Sequence, residues 1–141
     1  MIDSIKTPLV VTGRILLALM FILAGFSKLG NIAGTAGYIA SGGLPFASLL
    51  AVVVGLLELL GGVAIAIGFH ARWAALALGL FTLAASVLFH KFWAVPEGQA
   101  MVQQLMFMKN LSVAGGLFIV AALGAGPVSL DARRSLRLAA A

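Results

Sequence analysis

The stretch Pro45–Phe69, PFASLLAVVVGLLELLGGVAIAIGF, decides the fold. It stays apolar for as long as a helix needs to cross a bilayer, about 20 residues, and it holds one charge, Glu58. A strand of a membrane barrel would instead alternate apolar and polar residues over roughly ten positions. The stretch therefore reads as a transmembrane helix, with Pro45 suited to its first turn. Gly68-Phe69-His70-Ala71-Arg72 then reads as a tight hairpin.

The same pattern repeats on both sides. Upstream, an apolar run from Leu9 to Leu29 is interrupted by Thr12, Arg14 and Ser27 and ends at Lys28-Leu29. It is too long for the core of a signal peptide and no A-x-A cleavage site follows, so it reads as a retained span. Between these two runs, Ile32, Ala36 and Ile39 fall at helical spacing in a small-residue segment and predict a short interfacial helix. Downstream, a third span runs from Ala71 to Phe89. A linker carrying Trp93 and Pro96 follows, and then a fourth span from Met101 to Leu123 that contains Gln103, Gln104, Lys109 and Asn110. Gly124-Ala125-Gly126-Pro127 stops it. The expected fold is all-α, a polytopic bundle of four transmembrane helices in one domain, with spans near 9–29, 45–69, 71–89 and 101–123 and a short basic tail over 127–141.

Composition agrees. Of 141 residues, 62% are hydrophobic and 9% charged, and the mean hydropathy is +1.16. A water-facing domain carries about 25% charged residues, so lipid must cover this surface. The net charge of +5 has no soluble basic domain behind it that could hold nucleic acid, and topology explains it better. With the N-terminus inside, six basic residues (Lys6, Arg14, Arg72, Arg133, Arg134, Arg137) lie on the cytoplasmic side and two (Lys28, Lys91) outside. The positive-inside rule then places both termini in the cytoplasm. With no cysteine in the chain, disulfide exchange, iron–sulfur clusters and thiolate metal sites are excluded. Small residues four apart, Gly62 with Ala66, Ala75 with Gly79 and Ser112 with Gly116, permit close helix contact either inside one chain or across a homo-oligomer.

Ionisable residues inside the membrane are costly and mark where chemistry could sit. Counted from the cytoplasmic ends of their spans at 1.5 Å per residue, Glu58 lies roughly 15 Å deep, Lys109 roughly 21 Å and Arg14 roughly 8 Å. Glu58 is therefore expected to pair with Lys109 or Arg14, with Asn110 and Gln103 adding hydrogen bonds. Two readings stand: an ion pair that fixes helix register, and a polar pocket that binds a ligand or relays protons. At the outer face, Lys28, His90 and Trp93 form either a snorkelling aromatic belt or a headgroup site in which His90 handles a proton. His70 reads as an exposed loop residue. It lies roughly 30 Å from His90 along one helix, so the two cannot share a haem iron within one chain. No His/carboxylate cluster, phosphate-cradling loop or nucleophile elbow occurs. No haem, metal or iron–sulfur cluster is expected, and any redox role needs an organic cofactor or a partner protein.

Four segments, Arg14–Gly30 (RILLALMFILAGFSKLG), Gly43–Ala75, Leu88–Trp93 (LFHKFW) and Met108–Leu117 (MKNLSVAGGL), together with the closing GPVSLDARR, resemble the DoxX family in order and spacing. The resemblance covers the chain from about Arg14 to Arg133. It implies a four-helix protein of the bacterial inner membrane. The family's name comes from a subunit associated with a terminal quinol oxidase and with thiosulfate:quinone oxidoreduction. Other members are linked to quinone or catechol stress and to membrane oxidoreductase complexes. Arg14, Lys28, Glu58, His90, Lys109 and Asn110 fall on the family's recurrent polar positions, for which the resemblance implies no mechanism.

The functional expectation is an inner-membrane component of a quinone-linked redox system. It would bind a quinone or similar amphipathic molecule in the bundle, where an apolar ring with two carbonyls suits a greasy pocket with a few donors, and would serve a partner oxidoreductase. The alternatives are a structural or assembly protein without a ligand, and a small transporter. Transport is disfavoured because no span carries the interruption expected of a discontinuous helix.

Overall fold

The computed structural model describes residues 2–139, and their side chains from Ser4 onward. Among the described residues there are six α-helices: α1 (Ile2–Gly30), α2 (Ile32–Ser41), α3 (Ala47–Ile67), α4 (Ala71–Phe89), α5 (Glu97–Leu123) and α6 (Leu130–Ala139), with a 3₁₀ turn at Phe92–Ala94. Four of them, α1, α3, α4 and α5, are long and apolar enough to cross a membrane. The short helix foreseen after the first span is α2, which Asn31 caps by accepting from the Gly34 N–H at 3.0 Å. Pro45 precedes α3 rather than opening it: Phe46 takes the cap position in the left-handed region, φ 55°.

The bundle is built as two tight helix pairs. α1 packs chiefly on α3, and α4 on α5, while α3 and α4 join the pairs and α1 barely meets α5. The α1–α3 contact is close because glycine lets the backbones touch. A Cβ on Gly25 would stand 2.4 Å from the Leu59 nitrogen and 2.7 Å from the Gly55 oxygen, and one on Gly62 would stand 2.9 Å from the Ile22 nitrogen. Without a hydrophobic drive between helices in lipid, such close packing is what holds them together. Ala75 is fully buried and Gly79 faces Phe118, so these small residues also serve packing within the chain, whereas Ser112 is exposed and donates to the Met108 carbonyl of its own helix. The core is small: Ala18, Phe21, Ile65, Ala75, Leu78 and Leu117. Most large apolar side chains, Leu16, Leu23, Leu60, Leu80 and Ile119 among them, point outward, as lipid-facing residues do.

Polar contacts fasten the end of the bundle that carries both termini. Asp131, at the start of α6, accepts from the backbone N–H of His70 at 2.8 Å and of Ala71 at 3.0 Å. It thereby caps α4 from a distant segment, where His70 supplies no side-chain cap of its own. Ser129 caps α6 through the Ala132 N–H at 3.1 Å. His70 is exposed, and its Nε2 lies 3.3 Å from an Arg134 guanidinium nitrogen.

Candidate functional site

Glu58 pairs with Lys28. The Lys28 ammonium lies 2.5 Å from Glu58 Oε2, and Glu58 is buried at 6% exposure. The partners expected from depth counting, Lys109 and Arg14, are not the ones used, and the packing gives the reason. Depth counting assumed that helix ends lie level. The glycine seam instead offsets α1 against α3: Gly25 sits beside Gly55 and Leu59, and Leu29 lies against Gly55. The end of α1 is therefore well down α3, with Lys28 beside Glu58, while α2 covers the part of α3 that projects further. α5 packs on α4, which keeps Lys109 from ion-pair distance.

Arg14 sits at the other end of α1. It is 14 residues from Lys28, about 21 Å along the helix. Its Nη1 donates to the Ala125 carbonyl and its Nη2 to the Val128 carbonyl at 2.9 Å. Buried at 5% exposure, it holds the α5–α6 connection and does not line the space around Glu58.

That space is a cavity of about 230 Å³ between all four long helices. α1 contributes Lys28 together with Met20, Phe21 and Ala24, and α3 contributes Glu58. α4 contributes Phe81, Thr82, Ala85 and Phe89, followed by His90, and α5 contributes Lys109 and Asn110. Tyr38 reaches in from α2. His90 Nδ1 lies 2.8 Å from Gln103 Oε1. With the proton on Nδ1, His90 donates to that oxygen and leaves Nε2 as an acceptor. Lys109 and Asn110 make no side-chain hydrogen bond or ion pair with any described residue. Trp93 lies outside the cavity, edge-on to Phe92 and Phe107 at ring distances of 5.0 and 5.8 Å.

The Tyr38 and Phe89 rings stack 4.9 Å apart and separate this cavity from an apolar one. The second space, about 190 Å³, shares Tyr38, Phe81, Ala85 and Phe89 as a wall and is otherwise lined by Ile39, Leu44, Leu50, Val54, Ala84 and Leu88. Partial burial raises the Tyr38 phenol above its ordinary range, so it remains a neutral O–H. Tyr38 and Thr82 were not foreseen as site residues. The signal was present for one of them: Thr82, Ser86 and His90 recur at four-residue spacing and so share one face of α4. Thr82 spends its hydroxyl on the Leu78 carbonyl at 2.7 Å, and the buried Ser86 hydroxyl has no hydrogen-bond partner among the described residues. For Tyr38, no periodicity in the sequence brings α2 over α3 and α4.

The arrangement combines an ion pair, a second ammonium, an amide and an imidazole on one side with phenylalanine rings on the other. It can hold a small polar head by directed hydrogen bonds while its apolar part lies against rings.

Comparison with known proteins places the chain. It is 43% identical over 122 residues to inner membrane protein YqjF of Escherichia coli, covering 86% of this chain and 88% of that one. It is 34% identical over 128 residues to inner membrane protein YphA of the same organism, covering 91% of each. It is also 30% identical over 134 residues to the ER-derived vesicles protein ERV29 of Saccharomyces cerevisiae, covering 95% of this chain but 36% of the yeast protein. No solved structure matches it. The DoxX family profile matches residues 9–91, and with these relatives it shows that the chain is a membrane protein of the DoxX family.

Proposed function

We propose that this protein is an inner-membrane component of a quinone-linked redox system. It binds a quinone or a similar amphipathic molecule in the bundle and serves a partner oxidoreductase. The observation that carries the reading is the cavity at Glu58, where Lys28, Lys109, Asn110 and His90 surround a ring-sized space walled by Phe21, Phe81 and Phe89. The Lys28, Lys109 and Asn110 donors suit the carbonyl oxygens of a quinone, and the rings suit its apolar face. The basic asymmetry of the sequence supports an orientation with both termini in the cytoplasm, which puts the cavity in the outer half of the bundle.

The Lys28–Glu58 contact favours a second reading, in which the ion pair only sets the register of α1 on α3. A short-chain ubiquinone or menaquinone analogue added to the purified protein separates the two. Ligand at 100 times its Kd stabilises the fold by about 2.7 kcal/mol, which raises the melting temperature. Glu58→Gln is expected to diminish that rise by more than it lowers the melting temperature of the free protein. No rise with any quinone would leave the register reading in its place.

A further inference from the structure

We infer that the cavity takes an anionic head: a single ring bearing an ionised acid, carboxylate or phenolate, whose apolar part lies against the phenylalanine rings. The inference deepens the proposed function and rests on it, since the ligand occupies the same cavity. A quinol that has lost one proton belongs to this class.

The charges facing the cavity do not balance. Lys28 from α1 and Glu58 from α3 neutralise each other. α2 contributes the uncharged Tyr38, and α4 is followed by His90, already engaged with Gln103. α5 contributes Lys109, whose ammonium has no carboxylate within ion-pair distance among the described residues. Two ammonium groups against one carboxylate leave one positive charge.

Lys109 cannot be read as an ordinary interfacial lysine. Gln103 marks the level of His90 on α5, and Lys109, exposed on that helix while lining the cavity, lies six residues beyond it, about 9 Å further along the span. An unpaired ammonium at that depth is costly, and an anion in the cavity removes the cost. Asn110 beside it supplies an amide donor that is likewise unengaged. Beyond the Tyr38–Phe89 stack, the second chamber presents apolar residues such as Leu50, Val54 and Leu88. Nothing there would solvate a charge, so the acid stays on the Lys109 side of the stack.

Two probes of one shape test this. 4-Hexylbenzoate is ionised at pH 7, and 4-hexylbenzamide is neutral. Binding of both to the full-length protein in maltoside micelles is measured calorimetrically. The benzoate is expected to bind about tenfold tighter, which corresponds to about 1.4 kcal/mol. Lys109→Gln is expected to bring the ratio near one, Lys109→Arg to preserve it, and Lys91→Gln, outside the cavity, to leave it unchanged. Equal affinity for both probes overturns the anionic head while the cavity reading stands. A preference that survives Lys109→Gln overturns the assignment to Lys109. Binding of neither probe overturns the cavity reading along with this one.

Discussion

Separating Lys28 from Glu58 is expected to cost more from one side than from the other. The two side chains lie 2.5 Å apart but are unequally buried, 31% exposed for Lys28 and 7% for Glu58. Lys28→Met strands a carboxylate that has almost no access to solvent. Stranding one member of a buried pair costs about 3–5 kcal/mol, and the partial exposure of this pair places the loss near the bottom of that range, at about 3 kcal/mol. Glu58→Gln strands an ammonium on a flexible stem two residues from the end of α1. Such a group can reach toward a more polar environment, and the amide retains an acceptor, so a loss of about 1.5 kcal/mol is expected. The double variant leaves no unpaired charge and should lose about 2 kcal/mol, well short of the sum of the singles, which is how coupled neighbours behave. Equilibrium unfolding in mixed micelles, followed by helical circular dichroism, measures all three. If Lys28→Met is no worse than Glu58→Gln, or if the two losses add, the buried pair is not holding α1 on α3 and the reasoning fails.

Other contacts give sharper local tests. Asp131→Ala removes the cap from two backbone N–H groups of α4 and is expected to cost about 1–2 kcal/mol, with faster amide exchange at His70 and Ala71 as the readout. Gly25→Ala puts a Cβ 2.4 Å from the Leu59 nitrogen, and the backbones must separate at a cost of about 1–3 kcal/mol. Gly115→Ala meets nothing within 4 Å and should instead be neutral or stabilise α5 by up to ~1 kcal/mol, which thermal unfolding of the two variants compares directly. Reporter fusions after Gly126 and near Gly98 are expected to report opposite sides of the membrane, cytoplasmic for the first; a fusion after Gly126 that reports the outer side would reverse the orientation.

The four spanning helices were legible in the sequence because each apolar run is long and bounded by Gly, Pro or charge, whereas α6 (Leu130–Ala139) lies where only a basic tail was expected. The interfacial helix α2 was legible for a related reason, the helical spacing of Ile32, Ala36 and Ile39. Partner choice was not legible. It depends on the vertical offset of α1 against α3, which is set where Gly25, Gly55 and Gly62 allow the backbones to meet. A four-residue spacing of small residues signals close contact but not which helix is contacted or at what height. Arg14 shows the same gap in a different form. Its place inside an apolar run marked it as costly, yet its acceptors are backbone carbonyls of Ala125 and Val128, and no side-chain pattern advertises a carbonyl.

The two ends of the bundle use their polar groups in opposite ways, and this bears on where function resides. At the end carrying the termini, polar side chains are spent on backbone. Arg14 binds two carbonyls, Asp131 caps α4 and Ser129 caps α6. Asp131 and Ser129 close orphaned helix termini and Arg14 satisfies carbonyls of the α5–α6 connection, a requirement of folding in lipid, so their presence is explained without a ligand. Toward the other end, Lys28 and Glu58 satisfy one another, but Lys109, Asn110 and the Ser86 hydroxyl close no terminus and bind no backbone. Folding alone gives no reason to keep an ammonium and an amide at such positions, since leucine would suit a lipid-embedded helix better. Lys109 and Asn110 are also the ones that face a cavity. A polar group that contributes nothing to the fold, set beside an empty space, is most economically explained by what enters that space.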